Sequence, residues 1–167
     1  SEMCIRDREY VGADTFVNWR KETESIGDFA VSIGSTTIDH INYQADPYGD
    51  EIEFLSYYTY EPRSRQNMNF NYQYEKHQVS VNMTRLGHMN IVRNSTGGTV
   101  SNPHIITNVS YAYDFGPDFD TYVSIRNIDD VMPQKDGGYS YPFFANGYYS
   151  AFGRYVTCLL YTSPSPR

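Results

Sequence analysis

The sequence has almost no cysteine, few basic residues and no long apolar run, and each shortage excludes a class of protein. Cysteine occurs only near the two ends, at Cys4 and Cys158, so the interior holds no disulfide framework and no thiolate metal site. The 13 basic residues are outnumbered by 20 acidic ones, and the net charge of −7 argues against nucleic-acid binding. No apolar run approaches the roughly 18 residues of a spanning helix.

Catalytic and metal-binding patterns are also missing. No Ser-His-Asp order is legible, and no carboxylate is visibly paired with a buried acid. The four histidines are scattered without ligand spacing. The Asp pair in NIDD, residues 127–130, supplies too few oxygens for calcium and better fits a loop-entry turn held by Asn and Asp side chains. We therefore expect no enzyme activity, no metal and no cofactor.

The two ends share one DNA sequence read on opposite strands. A DNA string that encodes the first eight residues, SEMCIRDR, has a reverse complement that encodes CLLYTSP, which is Cys158 to Pro164. The string resembles the transposon-end adapter used in sequencing libraries. We interpret residues 1–8 and 158–167 as adapter-derived and expect strand pairing to close after Thr157. Setting aside their two acidic and three basic residues leaves 18 acidic and 10 basic residues in 9–157, a net charge of −8.

The interior alternates with a period of two, which predicts β-strands. In RQNMNFNYQY, residues 65–74, apolar Met68 and Phe70 alternate with Asn67, Asn69 and Asn71. Five further segments alternate in the same way, and a seventh strand opens at Arg154–Thr157. The six segments are 12–19, 28–36, 65–74, 77–85, 105–115 and 119–126. Most are about nine to eleven residues long, which suits tilted strands that cross a bilayer.

The connections between these strands alternate strictly between short and long. KETESIGD, EKH and GPD are short, whereas the segments 43–64, 92–104 and 128–153 are long. Aromatic side chains collect beside the short connections, as in the girdle at a membrane interface. They are Trp19, Phe29, Tyr72, Tyr74, Tyr111, Tyr113, Phe115 and Phe119. This asymmetry is typical of an antiparallel up-and-down barrel in an outer membrane. We predict an all-β segment of six to seven strands, open as a fragment.

The last third of the chain resembles the C-terminal end of TonB-dependent outer-membrane receptors. There a strand ends in an Asn- and Asp-containing motif followed by proline, and Gly-Arg opens the last strand after a long loop. Asn127, Asp130, Pro133, Gly153 and Arg154 match this pattern. YVGADTFVNWRKETESIGDFAVS and EPRSRQNMNFNYQY also resemble barrel strands of the family, so the resemblance covers essentially all of 9–157.

The resemblance implies a place, a function and partners. Residues 9–157 would be a partial barrel in the outer membrane of a Gram-negative bacterium, in contact with its lipid. The parent protein would take up a scarce nutrient, such as an iron chelate, a corrinoid or an oligosaccharide. The energy would come from the TonB complex, through an N-terminal part that lies outside this sequence. The polar rows Asn67, Asn69, Asn71 and Ser80, Asn82, Thr84 would line the lumen.

The long connections hold the candidate ligand contacts. Aromatic rings on water-facing loops stack on flat ligands or sugar faces, although they also pack loops against one another. The candidates are Tyr57, Tyr58, Tyr60, Tyr139, Tyr141, Phe143, Phe144, Tyr148 and Tyr149. Two other functions stay open: a soluble Tyr-rich β-sandwich that binds carbohydrate, and a passive porin. A sandwich would bury its apolar rows against a second layer.

Overall fold

The computed structural model describes residues 8–44, 48–53, 55, 61–90, 100–116, 119–135, 144, 147 and 149–162. Eight β-strands contain most of them. The strands are β1 (Arg8–Lys21), β2 (Asp28–Gln44), β3 (Glu51–Glu53), β4 (Ser64–Tyr74), β5 (His77–Leu86), β6 (His104–Asp114), β7 (Phe119–Arg126) and β8 (Tyr155–Thr162). No helix in these ranges is long and apolar enough to cross a membrane.

All eight strands form one antiparallel sheet in the order β1-β2-β4-β5-β6-β7-β8, with β3 paired to β2. The β3 partners are Asn42 to Gln44, beyond the end of the β4 pairing, so β3 and β4 share one side of β2. Each strand contacts only its neighbours in the sheet, and β1 does not reach β8. The predicted all-β, up-and-down architecture is confirmed, and the sheet is open.

The connections confirm the predicted alternation of short and long. Two residues join β4 to β5, where Glu75 has a positive φ of 51° and Tyr74 pairs with His77. Six residues join β1 to β2 and four join β6 to β7, whereas at the opposite edge 19 residues, including the short β3, lie between β2 and β4, 17 between β5 and β6, and 28 between β7 and β8. In an up-and-down sheet this places all the short turns at one edge, here called the turn edge, and all the long connections at the other, the loop edge.

Three strand boundaries differ from the sequence prediction by four residues or more. Pairing does not close after Thr157: β8 continues to Thr162, which pairs with Phe119. The expectation was wrong because β7 offers a free row of backbone groups, and Leu159, Leu160 and Tyr161 suit a strand. Alternation matters little on an edge strand that is exposed throughout.

At the other end, β1 begins at Arg8, which pairs with Tyr43, and β2 extends to Gln44. The predicted segment for β2 ended at Thr36. Beyond it, Ile38, Asp39 and His40 break the alternation of apolar and polar residues. The register of β1 shifts between Val11 and Gly12, and this bulge absorbs the irregularity. The short β3 was not predicted, because three residues carry no periodicity. The adapter origin of Arg8 and of Cys158–Thr162 stays a prediction, because it concerns the DNA that encodes these residues and not their fold.

The two faces of the sheet have opposite chemistry. One row of directly paired residues crosses seven strands and is apolar throughout: Trp19, Val31, Phe70, Val81, Val109, Ile125 and Val156. The residues next to this row on β1, β2, β4, β5 and β6 form a polar row: Asn18, Ser32, Asn69, Asn82 and Asn108. We call these sides the apolar face and the polar face.

Nothing in the described part of the chain covers the apolar face. Side chains on it stay open to the surroundings, with Trp19 exposed by 50%, Ile33 by 41% and Val156 by 62%. The buried hydrophobic residues lie near the loop edge instead, where Ile38, Ile41 and Leu55 form a small cluster. Among the residues that the structure describes, the apolar rows therefore have no second layer against which to bury.

The predicted aromatic residues do lie together, in a belt on the apolar face along the turn edge. Phe29 and Tyr72 have ring centroids 4.8 Å apart, and Phe115 stacks on Phe119 at 4.3 Å. Tyr113 meets Phe115 edge-on at 4.5 Å. His77 joins this belt through a 2.8 Å hydrogen bond to the Tyr111 hydroxyl. The sequence pattern did not single out His77.

The β1–β2 turn depends on a glycine. Gly27 has a φ of 91°, and a Cβ atom there would lie 2.5 Å from the carbonyl oxygen of Gln73. We expect Gly27→Ala to lower the free energy of unfolding by about 1–3 kcal/mol, because it adds backbone strain and a backbone collision. Gly116→Ala is the matched control, since Gly116 has a φ of 121° but open space around a Cβ. Urea unfolding in lipid vesicles measures both, and an equal loss in the two variants would contradict the collision.

Candidate functional site

The polar face holds a continuous chain of side-chain amides. Asn69 Nδ2 donates to Ser32 Oγ at 3.2 Å, and Asn82 Nδ2 donates to Asn69 Oδ1 at 2.7 Å. Asn108 Nδ2 donates to Asn82 Oδ1 at 3.2 Å, and the backbone N–H of Asn127 donates to Asn108 Oδ1 at 3.0 Å. We call these five residues the asparagine row. It links β2, β4, β5, β6 and the turn after β7.

The row follows from the strand register. Because Ser32, Asn69, Asn82 and Asn108 are direct cross-strand partners, their side chains lie side by side at hydrogen-bonding distance. A side-chain amide has two N–H donors and an oxygen with two lone pairs, so each Asn keeps hydrogen-bonding capacity for water or a ligand. Sequence reasoning placed Asn69 and Asn82 on one face. The hydrogen bond between them was not predicted, because it depends on the strand register.

Flanking bonds extend this surface. Ser80 Oγ donates to Asn71 Oδ1 at 2.7 Å, and Thr84 Oγ1 donates to Asn67 Oδ1 at 3.1 Å. The predicted polar rows are thus connected across β4 and β5. The side chains that form these bonds are uncharged, and the surface is rich in both donors and acceptors. It suits a partner with many hydroxyl, amide or carbonyl groups.

Four of the five motif residues, Asn127, Asp130, Gly153 and Arg154, come together at the loop edge. Asn127, with a φ of 52°, binds Val131 twice: Asn127 Nδ2 donates to the Val131 carbonyl and Asn127 Oδ1 accepts from its N–H, each at 2.9 Å. Asp130 has a φ of 54°, and its Oδ1 accepts the Arg154 backbone N–H at 2.7 Å. The turn after β7 is therefore fastened to the start of β8.

Gly153 is needed for this contact, since a Cβ there would lie 2.6 Å from Asp130 Oδ1. Pro133 lies on the same turn segment, half-buried, and Arg154 is exposed. The motif thus acts as a clamp across a long connection, as the predicted loop-entry turn held by Asn and Asp side chains requires. No group of three metal-ligating side chains occurs in the ranges that the structure describes.

Two of the nine aromatic ligand candidates lie among the described residues, and both are buried. Phe144 and Tyr149 are each only 7% exposed. The ring of Tyr149 meets His104 edge-on at 4.8 Å, and its hydroxyl lies 3.8 Å from Met89 Sδ. These two rings pack the connections together and are not open to a ligand. The other seven candidates lie outside the described residues: Tyr57, Tyr58, Tyr60, Tyr139, Tyr141, Phe143 and Tyr148.

The surroundings of Tyr149 form a compact cluster at the loop edge. Burial raises the pKa of Tyr149, while a hydrogen bond with Ser101 acts in the opposite direction. The Ser101 hydroxyl also accepts the Met89 N–H at 3.2 Å, and the Ser101 carbonyl lies 2.7 Å from His88 Nδ1. The first and last residues of this cluster are far apart in sequence, so spacing gave no signal for it.

The clamp yields a direct prediction. Asp130→Ala should lower the free energy of unfolding by about 1–2 kcal/mol, because it removes the acceptor for the Arg154 N–H and a residue that tolerates a positive φ. The Arg154 amide should also exchange its hydrogen faster, as measured by hydrogen exchange. Asp129→Ala is the control, since the neighbouring Asp129 is also exposed but does not have a positive φ. Equal protection of Arg154 in both variants would contradict the clamp.

Comparison of the chain with protein-family models, with curated proteins and with solved structures gives no match.

Proposed function

We propose that the chain is part of the wall of an outer-membrane barrel that takes up a scarce nutrient by active transport. The apolar face would contact lipid, and the polar face would line a water-filled interior. The loop edge would face the outside of the cell, because outer-membrane barrels have short periplasmic turns and long external loops.

The observation that carries the proposal is the uncovered apolar row. A sheet with one apolar face normally buries it against a second layer, as in a sandwich. Here each strand contacts only its sheet neighbours, and Trp19, Ile33 and Val156 stay 41–62% exposed. Hydrocarbon surrounds such a face without a second layer when the strands belong to a closed barrel, in which neighbouring strands pair both edges.

The dimensions of the apolar face agree with a bilayer. On β6 the outward positions run from Ile105 through Val109 and Tyr111 to Phe115 just beyond the strand. Ten residue steps of a strand span about 34 Å, and a tilt of roughly 45° reduces the height to about 24 Å. The apolar band of an outer-membrane barrel is about 25 Å tall. The aromatic belt lies at one border of this band, where membrane girdles lie.

The transport part of the proposal rests on the family resemblance and on the polar face. The asparagine row offers a wall of neutral side-chain amides, and Arg126 lies beside Asn82 and Asn108 at one end of it. The clamp formed by Asn127, Asp130, Gly153 and Arg154 gives the motif residues a shared structural role. The substrate would be an iron chelate, a corrinoid or an oligosaccharide, and the TonB complex would supply the energy through a part beyond this sequence.

A charge scan of two adjacent residues tests the membrane wall. Val81→Lys should destabilise the chain in vesicles by about 2–4 kcal/mol, since it places a charge against the bilayer interior. Asn82→Lys should cost less, about 1 kcal/mol, because its side chain lies on the polar face and the substitution removes only its hydrogen bonds to Asn69 and Asn108. Urea unfolding measures both. If the two substitutions cost the same, neither face is in hydrocarbon.

The parent gene separates an active receptor from a porin. The unbroken reading frame should encode a plug domain before residue 9 and a final strand that ends in an aromatic residue after Thr157. A frame that encodes a closed barrel without a plug would instead favour the passive porin.

A further inference from the structure

The apolar face changes character one row before the loop edge. Ile33, Met68 and Met83 are cross-strand partners in the last apolar row of β2, β4 and β5. The next row toward the loop edge is Ser35, Gln66 and Arg85. These six side chains line a shallow groove on the apolar face. One end of the groove is therefore apolar and the other is polar and cationic.

Arg85 has neutral partners at this place. Its Nη1 donates to Gln66 Oε1 at 3.3 Å and to Ser64 Oγ at 3.4 Å. Gln66 Nε2 in turn donates to Ser35 Oγ at 3.5 Å, which orders the row. No carboxylate of the described ranges forms an ion pair with Arg85, and the described Glu61 pairs with Arg65 instead. The positive charge of Arg85 thus has no counter-charge from this part of the protein.

We propose that this groove binds a phosphate-bearing lipid of the outer leaflet, with its phosphate on Arg85 and an acyl chain along Met68, Met83 and Ile33. The proposal rests on the proposed function, since it requires the apolar face to lie in a bilayer. It goes beyond transport, because the ligand is a membrane component on the outside of the wall and not the cargo.

The charge of Arg85, the arrangement of its N–H donors and its expected depth in the bilayer all favour a phosphate-bearing lipid. A guanidinium group binds phosphate oxygens with two parallel N–H donors, and Arg85 keeps Nη2 and Nε for that purpose while Nη1 binds Gln66 and Ser64. Methionine side chains adapt to irregular apolar ligands such as acyl chains. A cation on the lipid side is tolerated near an interface, where lipid phosphates lie, and is costly at the midplane. Gln66 and Ser35 add neutral hydrogen-bonding groups beside the phosphate position.

The test uses the 167-residue chain in phosphatidylcholine vesicles to which lipid A, a bisphosphorylated glycolipid, is added. Lipid A retained by the chain after extraction is counted by native mass spectrometry. Arg85→Gln should weaken lipid A binding by about tenfold, because one charge-assisted contact is lost. Arg126→Gln is the matched control: it removes the same charge from the polar face, where Arg126 lies against the Tyr155 ring. It should leave lipid A binding unchanged.

Two further arms identify the source of the phosphate and the role of the groove. Dephosphorylated lipid A should bind the unsubstituted chain as weakly as lipid A binds the Arg85→Gln variant. Inorganic phosphate should not displace lipid A, because it lacks an acyl chain. Met83→Ala should weaken lipid A binding without a change of charge.

The outcomes separate this proposal from the proposed function. If the Val81 and Asn82 lysine variants differ as expected but Arg85→Gln and Arg126→Gln retain equal amounts of lipid A, the lipid site is wrong and the membrane wall stands. Displacement by inorganic phosphate would replace the lipid site with a simple anion site. If Val81→Lys and Asn82→Lys lower the free energy of unfolding equally, the membrane wall is wrong, and the lipid site, which depends on it, is wrong as well.

Discussion

The rest of the structure depends on one constraint: a single antiparallel sheet has two faces, and the described residues supply no second layer for its apolar face. Backbone hydrogen bonds between neighbouring strands hold the sheet together. They do not determine which solvent surrounds the side chains on each face. Fully burying one large apolar side chain is worth about 1.5–3 kcal/mol, and one row here contains seven apolar residues. Such a face exposed to water would collapse or aggregate, so its surroundings decide whether the chain is stable.

On the polar face, side chains form hydrogen bonds with one another. The amides of Asn69, Asn82 and Asn108 bond one another across the strands instead of being buried against a core. Such bonds are compatible with water, which can occupy their remaining donors and acceptors. An apolar row and an amide row on adjacent residues therefore give the sheet two faces of opposite chemistry, and the clamp at Asp130 and Arg154 fixes one long connection to it.

The strand-level features were predictable because they depend on local patterns. Period-two alternation located the long strands, and the short and long connections gave the up-and-down order. Asp130 and Gly153 were picked out together by their resemblance to a family motif, and the structure brings them into contact. In each case the signal lies in residues close in sequence or in a known order.

Features that depend on register or on long-range packing were not predictable. The asparagine row requires Asn82 to stand opposite both Asn69 and Asn108, and nothing local encodes that alignment. The burial of Tyr149 on His104 and Met89 joins distant connections. The continuation of β8 to Thr162 reflects the free edge of β7 more than the composition of β8.

The most direct test of the central claim is a spin-label scan of β5, from His77 to Leu86, in lipid vesicles, with Cys4 and Cys158 replaced by Ser. The accessibility of each label to oxygen, which dissolves in lipid, is compared with its accessibility to a water-soluble nickel complex. Our account predicts that oxygen is favoured at Val79, Val81 and Met83 and the nickel complex at Ser80, Asn82 and Thr84. Equal access of the nickel complex to both sets, or protection of Val79, Val81 and Met83 from both reagents, would contradict a wall between lipid and water.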